Sequence, residues 1–201
     1  MGEFSVEDNI PELLKVGVFA QSKTYPVWVR FSSAAPVQKR GKLSSDLEPD
    51  ARGMTIKLLQ VQGETVLDIE QETQDFLLVN HPVFIVRDPQ GFATLTKAGI
   101  GQATEEELRS LEPTFKILKA ITSKQVTNPL LIQYWSMTPY QLGTQMIKFS
   151  VKPHASDTPG STPTSENYLR EAAVQYLSED NNDAVFDFLV QLYVDDEKTP
   201  I

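Results

Sequence analysis

The sequence predicts an α+β fold built on a mainly antiparallel sheet. Segments at 25–33, 146–152 and 184–194 alternate apolar and polar residues with period two, whereas helical periodicity is gathered in blocks. Strands and crossover helices do not alternate regularly, which disfavours a parallel sheet. With 201 residues, the chain is expected to form a single domain over 1–201, with an internal loop at 153–165.

The first strand expected is Tyr25 to Ser33 (YPVWVRFSS). Val27, Val29 and Phe31 fall on one face, and Trp28, Arg30 and Ser32 on the other. Arg52 to Leu59 follows the turn-rich SSDLEPDARG as a second strand, and Val66 to Ile69 is a third. Asp75 to Arg87 reads as one strand interrupted, or two short ones, at Asn80-His81-Pro82. Pro89 can start a short helix through Lys97, closed by Gly99 and Gly101.

A longer helix is expected over Thr104 to Thr122. Thr104 and Glu107 have capping-box spacing, and Leu108, Leu111, Phe115 and Leu118 recur on one face. The acids Glu105 to Glu107 suit the positive end of its dipole. Pro129 to Trp135 is expected to be a shorter helix, and Met146 to Lys152 a half-buried strand with Ile147, Phe149 and Val151 inward. His154 to Ser165 is loop by composition; Glu166 to Ser178 is helical, and Ala184 to Val194 is a last strand.

Composition narrows the function classes. The net charge of −9, from 27 acids and 18 bases, disfavours nucleic acid and anionic membrane surfaces as partners. No apolar run reaches the roughly 20 residues of a membrane span. The opening MGEFSVEDN lacks signal-peptide character, so a cytoplasmic location is expected. Without cysteine there is no disulfide and no thiolate chemistry, and two histidines are too few for a His-rich metal site. None of GxxxxGK[ST], GxGxxG, HExxH or GxSxG occurs.

Arg30 and Ser32 are the local candidates for a site. A guanidinium and a hydroxyl beside the Trp28 indole could form a pocket wall suited to a carboxylate. The same three residues would equally describe the solvent face of a half-buried strand. Asn80 and His81 raise a similar choice between a turn and a presented polar group.

Four ordered segments then carry a family resemblance. Arg30-Phe31-Ser32 resembles the RFS element of haem catalases, and Asp50 to Lys57 (DARGMTIK) resembles their D-P-R-G-F-A-x-K. Pro82 to Asp88 (PVFIVRD) is similar to P-x-F-F-I-R-D, and Trp135 to Leu142 (WSMTPYQL) to W-S-x-x-P-x-x-L. The surrounding text resembles the shorter catalase-related proteins, the branch of minimal catalases and allene oxide synthases. The resemblance implies a closed antiparallel β-barrel flanked by helices, with haem as cofactor and hydrogen peroxide or an organic hydroperoxide as substrate. It places Arg30 at a haem propionate, Ser32 behind a distal histidine and Phe92 against the porphyrin face. Asn80 would face the peroxide, one place after Val79, the position that strict counting back from Pro82 gives.

The family's other essentials have no counterpart among these residues. No histidine precedes Arg30, and no R-x-x-x-Y spacing supplies a proximal tyrosinate beside an arginine. The chain therefore resembles the middle of such a protein, with a barrel expected to be incomplete. Two readings stay open: a haem-dependent catalase or peroxidase, impaired in this chain, or a haem-less remnant acting as a binding module. An incomplete barrel also predicts exposed sheet edges and apolar surface, and with them poor monodispersity or a homo-oligomer that covers the gap.

Overall fold

The computed structural model describes residues 2–34, 44–63, 72–156, 163–179 and 182–199. Among them are eight strands: β1 (Gly2–Ser5), β2 (Thr24–Ser33), β3 (Arg52–Leu59), β4 (Thr73–Val79), β5 (Tyr134–Ser136), β6 (Tyr140–Leu142), β7 (Gln145–Pro153) and β8 (Phe186–Leu192). The α-helices are α1 (Pro89–Gly99), α2 (Glu105–Ser110), α3 (Glu112–Thr122) and α4 (Tyr168–Val174). Every strand pairing is antiparallel, as the alternating segments predicted.

The sheet runs β1-β2-β3-β4-β5-β7, with β6 and β8 also bonded to β7. β5 pairs with Ser150 and Val151 while β8 pairs with the same two residues, so these strands take opposite edges of β7. β6 pairs with Gln145 to Ile147, ahead of β5 on its edge. β1 and β8 are thus the free ends of the path, and no ladder joins them among the described residues. The barrel, expected to be incomplete, is an open sheet among the described residues.

Side chains do what the ladder does not. Phe4 of β1 meets Phe188 of β8 at a ring-centroid distance of 5.3 Å, edge to face. Phe76 of β4 lies 4.8 Å from Phe188 and 5.3 Å from Phe149. Phe19 joins the same group from the connection before β2. The sheet curls far enough for its first and last strands to share one aromatic core, with Val27, Ile56, Leu58, Leu78, Tyr134, Ile147 and Val151 beside it.

Local chemistry explains where elements stop. Asp88 caps α1, accepting from the Gly91 N–H at 2.7 Å, and Gly101 just beyond it adopts φ +72, which costs glycine little. The expected capping box opens α2: the Glu107 N–H donates to Thr104 Oγ1 and the Thr104 N–H to Glu107 Oε2. The single helix expected over 104–122 is broken at Leu111 (φ −85, ψ 2), because Pro113 has no N–H and its ring opposes the preceding turn.

Other boundaries also moved. β4 ends at Val79, and residues 80–88 are bends rather than strand; Pro82 cannot donate to a ladder. The helix expected from Pro129 to Trp135 is instead a turn followed by β5. Fully buried Tyr134 donates its hydroxyl to the Pro129 carbonyl at 2.8 Å, which fixes that turn. The helix expected from Glu166 starts at Tyr168 and finishes as a π-turn over Gln175–Glu179. The strand expected over 66–69 lies outside the described residues, as do 157–162 of the expected loop. The loop's described parts, 154–156 and 163–165, carry no helix or strand, although Pro153 still belongs to β7.

Open edges and exposed apolar side chains have a consequence in solution. Leu189 on β8 and Val185 just before it are 43% and 49% exposed. Such an edge invites pairing with another strand. The apparent mass in sedimentation velocity is expected to rise with concentration; a concentration-independent monomer would contradict this.

Candidate functional site

Two rows of side chains cross the outward face of the sheet. In register, Arg30 of β2 lies beside Thr55 of β3, and Thr55 beside Leu77 of β4. Ser32 lies beside Gly53, Gly53 beside Val79, and Val79 beside Trp135 of β5. Next to Arg30 on the same face stands Trp28, whose row holds the ion pair of Lys57 with Asp75 at 3.1 Å. Arg30 and Ser32 are exposed, and so are Trp28 (55%) and Leu77 (51%). Beside that ion pair, the face combines the Arg30 cation and the Thr55 and Ser32 hydroxyls with an exposed indole and leucine.

Gly53 is what lets Ser32 sit as it does. A Cβ on Gly53 would lie 2.6 Å from Ser32 Oγ, closer than side chains approach. The hydroxyl therefore lies over bare backbone in the DARGM segment.

Arg52, beside Gly53, points to the opposite face and is buried. Its guanidinium donates to Ser33 Oγ and to the carbonyls of Asp46 (3.0 Å) and Glu48 (3.2 Å). Asp46 in turn accepts from the Leu169 N–H in the first turn of α4. Between β2, β3 and α4 lies a cleft of about 460 Å³, walled by Phe31, Ser32, Arg52, Tyr134, Leu169 and Arg170 among others. Burial pushes the Tyr134 phenol well above its ordinary value, the Arg52 charge opposing this only in part.

Asn80 is 2% exposed at the end of β4. Its N–H donates to the Arg52 carbonyl and its Oδ1 accepts from the Arg52 N–H, both at 2.9 Å. The side-chain amide thus replaces the next rung of the ladder. Its Nδ2 is buried and has no partner. Strand alternation gives the place beside Gly53 and Ser32 to Val79, with Asn80 next along. Phe92 stands in the first turn of α1 with half of its ring exposed, and α1 packs against α2.

The four residues marked by the resemblance are therefore not gathered in one pocket. Ser32 alone lines the 460 Å³ cleft; Arg30, Asn80 and Phe92 are not among its walls. Residue-by-residue reading missed Arg52, Lys124 and Lys148. Arg52 sat inside a quoted segment, but nothing in the sequence says that its guanidinium turns inward. The lysines are visible only as two of many surface charges until the chain is folded.

The donor set can be tested against a haem group. Arg30 with Trp28 and Leu77 suits a carboxylate-bearing aromatic plate, and Asn80 Nδ2 is a buried donor without an acceptor. Four of the six tyrosines already have a partner for the hydroxyl. The hydroxyls of Tyr25, Tyr134, Tyr168 and Tyr193 donate to Val18, Pro129, Val126 and Asp196 respectively. Tyr134 and Tyr193 both have their ionisation pushed up rather than down, opposite to what a tyrosinate ligand needs. His154 bonds Asp187 on the surface. Trp28, Arg30 and Leu77 have the chemistry that a ring edge asks for, and none of these four tyrosines is poised as an iron ligand. Among the described residues, no group of three or more His, Cys, Asp or Glu side chains could hold a metal ion.

The geometry defines an α+β protein on a curled antiparallel sheet, with a polar and apolar face at Trp28, Arg30 and Ser32. Residues 1–127 match the family model described as Catalase, and the chain belongs to the catalase family. A curated relative, catalase easC of Claviceps fusiformis, is 33% identical over 98 residues, covering 48% of this chain and 18% of that protein. The chain thus spans about a fifth of the length of that relative. The crystal structure of a fungal catalase superposes on 99% of this chain and 42% of its own, with a TM-score of 0.62 and 17% identity, a likeness of fold. No helix among the described residues is long and apolar enough to cross a membrane.

Proposed function

We propose that this chain forms the ring-facing sheet of a catalase-related haem protein acting on hydrogen peroxide or an organic hydroperoxide. Its own residues do not ligate the iron. Haem would supply the peroxide chemistry; this chain would supply the surface that meets the ring and its carboxylates. Arg30 is the carboxylate partner, fixed by β2 and exposed beside Thr55. Ser32 is a hydroxyl held over Gly53, able to orient an imidazole brought to it, and Phe92 is an exposed ring available for stacking. Asn80 Nδ2 is the donor offered to the peroxide. The observation that carries the reading is the exposed Trp28–Arg30–Ser32 face inside a family-matched sheet.

The competing reading is a haem-less binding module, and the committed tyrosine hydroxyls favour it for the 201 residues alone. A ligand without iron separates the face from iron ligation. Metal-free protoporphyrin IX is expected to quench the Trp28 emission saturably. Arg30→Ala is expected to weaken this binding by about 1–3 kcal/mol, the scale of a hydrogen bond to a charged group. Absence of quenching, or equal affinity in the variant, would remove the face from the proposed site.

A further inference from the structure

The Asn80-His81-Pro82 turn is gripped by two lysines from distant parts of the chain. Lys124, just beyond α3, donates its ammonium to the Asn80 carbonyl, and Lys148 of β7 donates to the Pro82 carbonyl. Lys124 also lies 5.5 Å from the centre of the Trp135 ring, which helps hold it in place. An ammonium has three N–H donors, so each lysine keeps donors beyond its carbonyl bond. The ion pairs among the described residues leave both of them out.

Two buried polar atoms of the same turn have no partner: Asn80 Nδ2 and His81 Nδ1. An unmade hydrogen bond at a buried group costs about 1–3 kcal/mol, so two in adjacent residues is an unusual expense. Burial depresses both lysines. Burial, then Lys124 and Lys148, hold the His81 imidazole below its ordinary 6.5. A turn needing only support would be served by one carboxylate, which would satisfy the donors and offset the cations together. A water could satisfy the orphaned atoms but not the charge. An anionic acceptor would answer both the orphaned atoms and the uncompensated charge of this turn.

We propose that the Asn80-His81-Pro82 turn, with Lys124 and Lys148, is a binding site for an oxyanion, either a carboxylate or a phosphate group. The lysines supply charge, Asn80 Nδ2 a fixed donor, and His81 a nitrogen that can carry a proton when the anion is present. The groups facing the imidazole are Lys124 from the end of α3 and Lys148 from β7. The Arg52 guanidinium on β3 is turned away to Ser33, Asp46 and Glu48. The site involves neither iron nor the Arg30 face, but it shares Asn80 Nδ2 with the peroxide reading, and the titration below tests it without haem.

The test follows the two histidines of the full chain by NMR. Their titrations are recorded in sodium chloride, potassium phosphate and sodium acetate at matched ionic strength. His154, exposed and bonded to Asp187 at 2.8 Å, reports any general salt effect. The anion is expected to raise the His81 pKa saturably by about half a unit or more, as an opposite charge nearby does, while His154 stays the same in all three media. A response to phosphate alone identifies a phosphate source, and a response to acetate a carboxylate. The K124Q/K148Q double variant should lose the response; if it does not fold, K148Q alone should weaken anion binding by about tenfold, a charge-assisted bond's share. Identical His81 titrations in the three media, or an unchanged response in a folded lysine variant, would overturn the proposal.

Discussion

Phe76→Ala is expected to destabilise the protein by about 3–5 kcal/mol, the cost of truncating a buried phenylalanine and leaving a cavity. The figure belongs at the upper end because of what Phe76 joins. Its ring lies 6.0 Å from Phe4, 6.2 Å from Phe19, 5.3 Å from Phe149 and 4.8 Å from Phe188, and the residue is 7% exposed. These rings come from β1, the segment before β2, β7 and β8, so one side chain ties both free ends of the sheet to its middle. Domains are typically stable by about 5–15 kcal/mol, so this loss would populate the unfolded state measurably. Urea unfolding monitored by circular dichroism gives the number. A cost below about 1 kcal/mol would show that the aromatic cluster does not hold the curl.

Arg52→Ala is the second substitution with a large expected effect. The guanidinium satisfies Ser33 Oγ and the carbonyls of Asp46 and Glu48, which carry the approach to β3. Removing it takes this donor from three acceptors in a part-buried place and empties one wall of the 460 Å³ cleft. At about 1–3 kcal/mol for each bond to a charged donor, discounted for water entering the space, the loss is about 3 kcal/mol. Arg52→Lys should recover less than half of it, since an ammonium cannot reach three acceptors in the fixed fork of a guanidinium. Full rescue by lysine would mean that charge, rather than the geometry of the donors, is what this position requires.

Much of the sheet was legible because its strands are amphipathic. Arg52–Leu59 alternates buried and half-buried without a fault, so its bounds followed from the pattern alone. β1, with only Phe4 half-buried, and β6, three residues long, gave no periodic signal. The turn at Pro129 is set by a hydroxyl reaching back from Tyr134, and apolar residues in a row could not distinguish that from a helix. Closure was what the resemblance implied and not a property of any one strand; it depends on β1 and β8 meeting, and among the described residues the rings of Phe4 and Phe188 meet without a ladder.

The candidate site was legible in part for a different reason. Arg30 and Ser32 could be placed on one face by counting in twos, and the register puts them in adjacent rows. Counting in twos also separates Val79 from Asn80, and the side-chain bond from Arg52 shows why an amide stands at 80: it ends β4 by taking over a rung of the ladder. His81 looked like a lone histidine in an apolar run. Its setting between two lysines arises from contacts 43 and 67 residues away along the chain, which no local pattern encodes.

The central claim is that the chain carries the ring-facing surface of a catalase-family protein without the ligands for its iron. The visible spectrum of the purified chain reconstituted with hemin tests this most directly. A broad band like that of weakly held hemin is expected, with no sharp Soret maximum at one equivalent and none of the charge-transfer bands of a tyrosinate-bound iron. A sharp, stoichiometric Soret band from these 201 residues would contradict it.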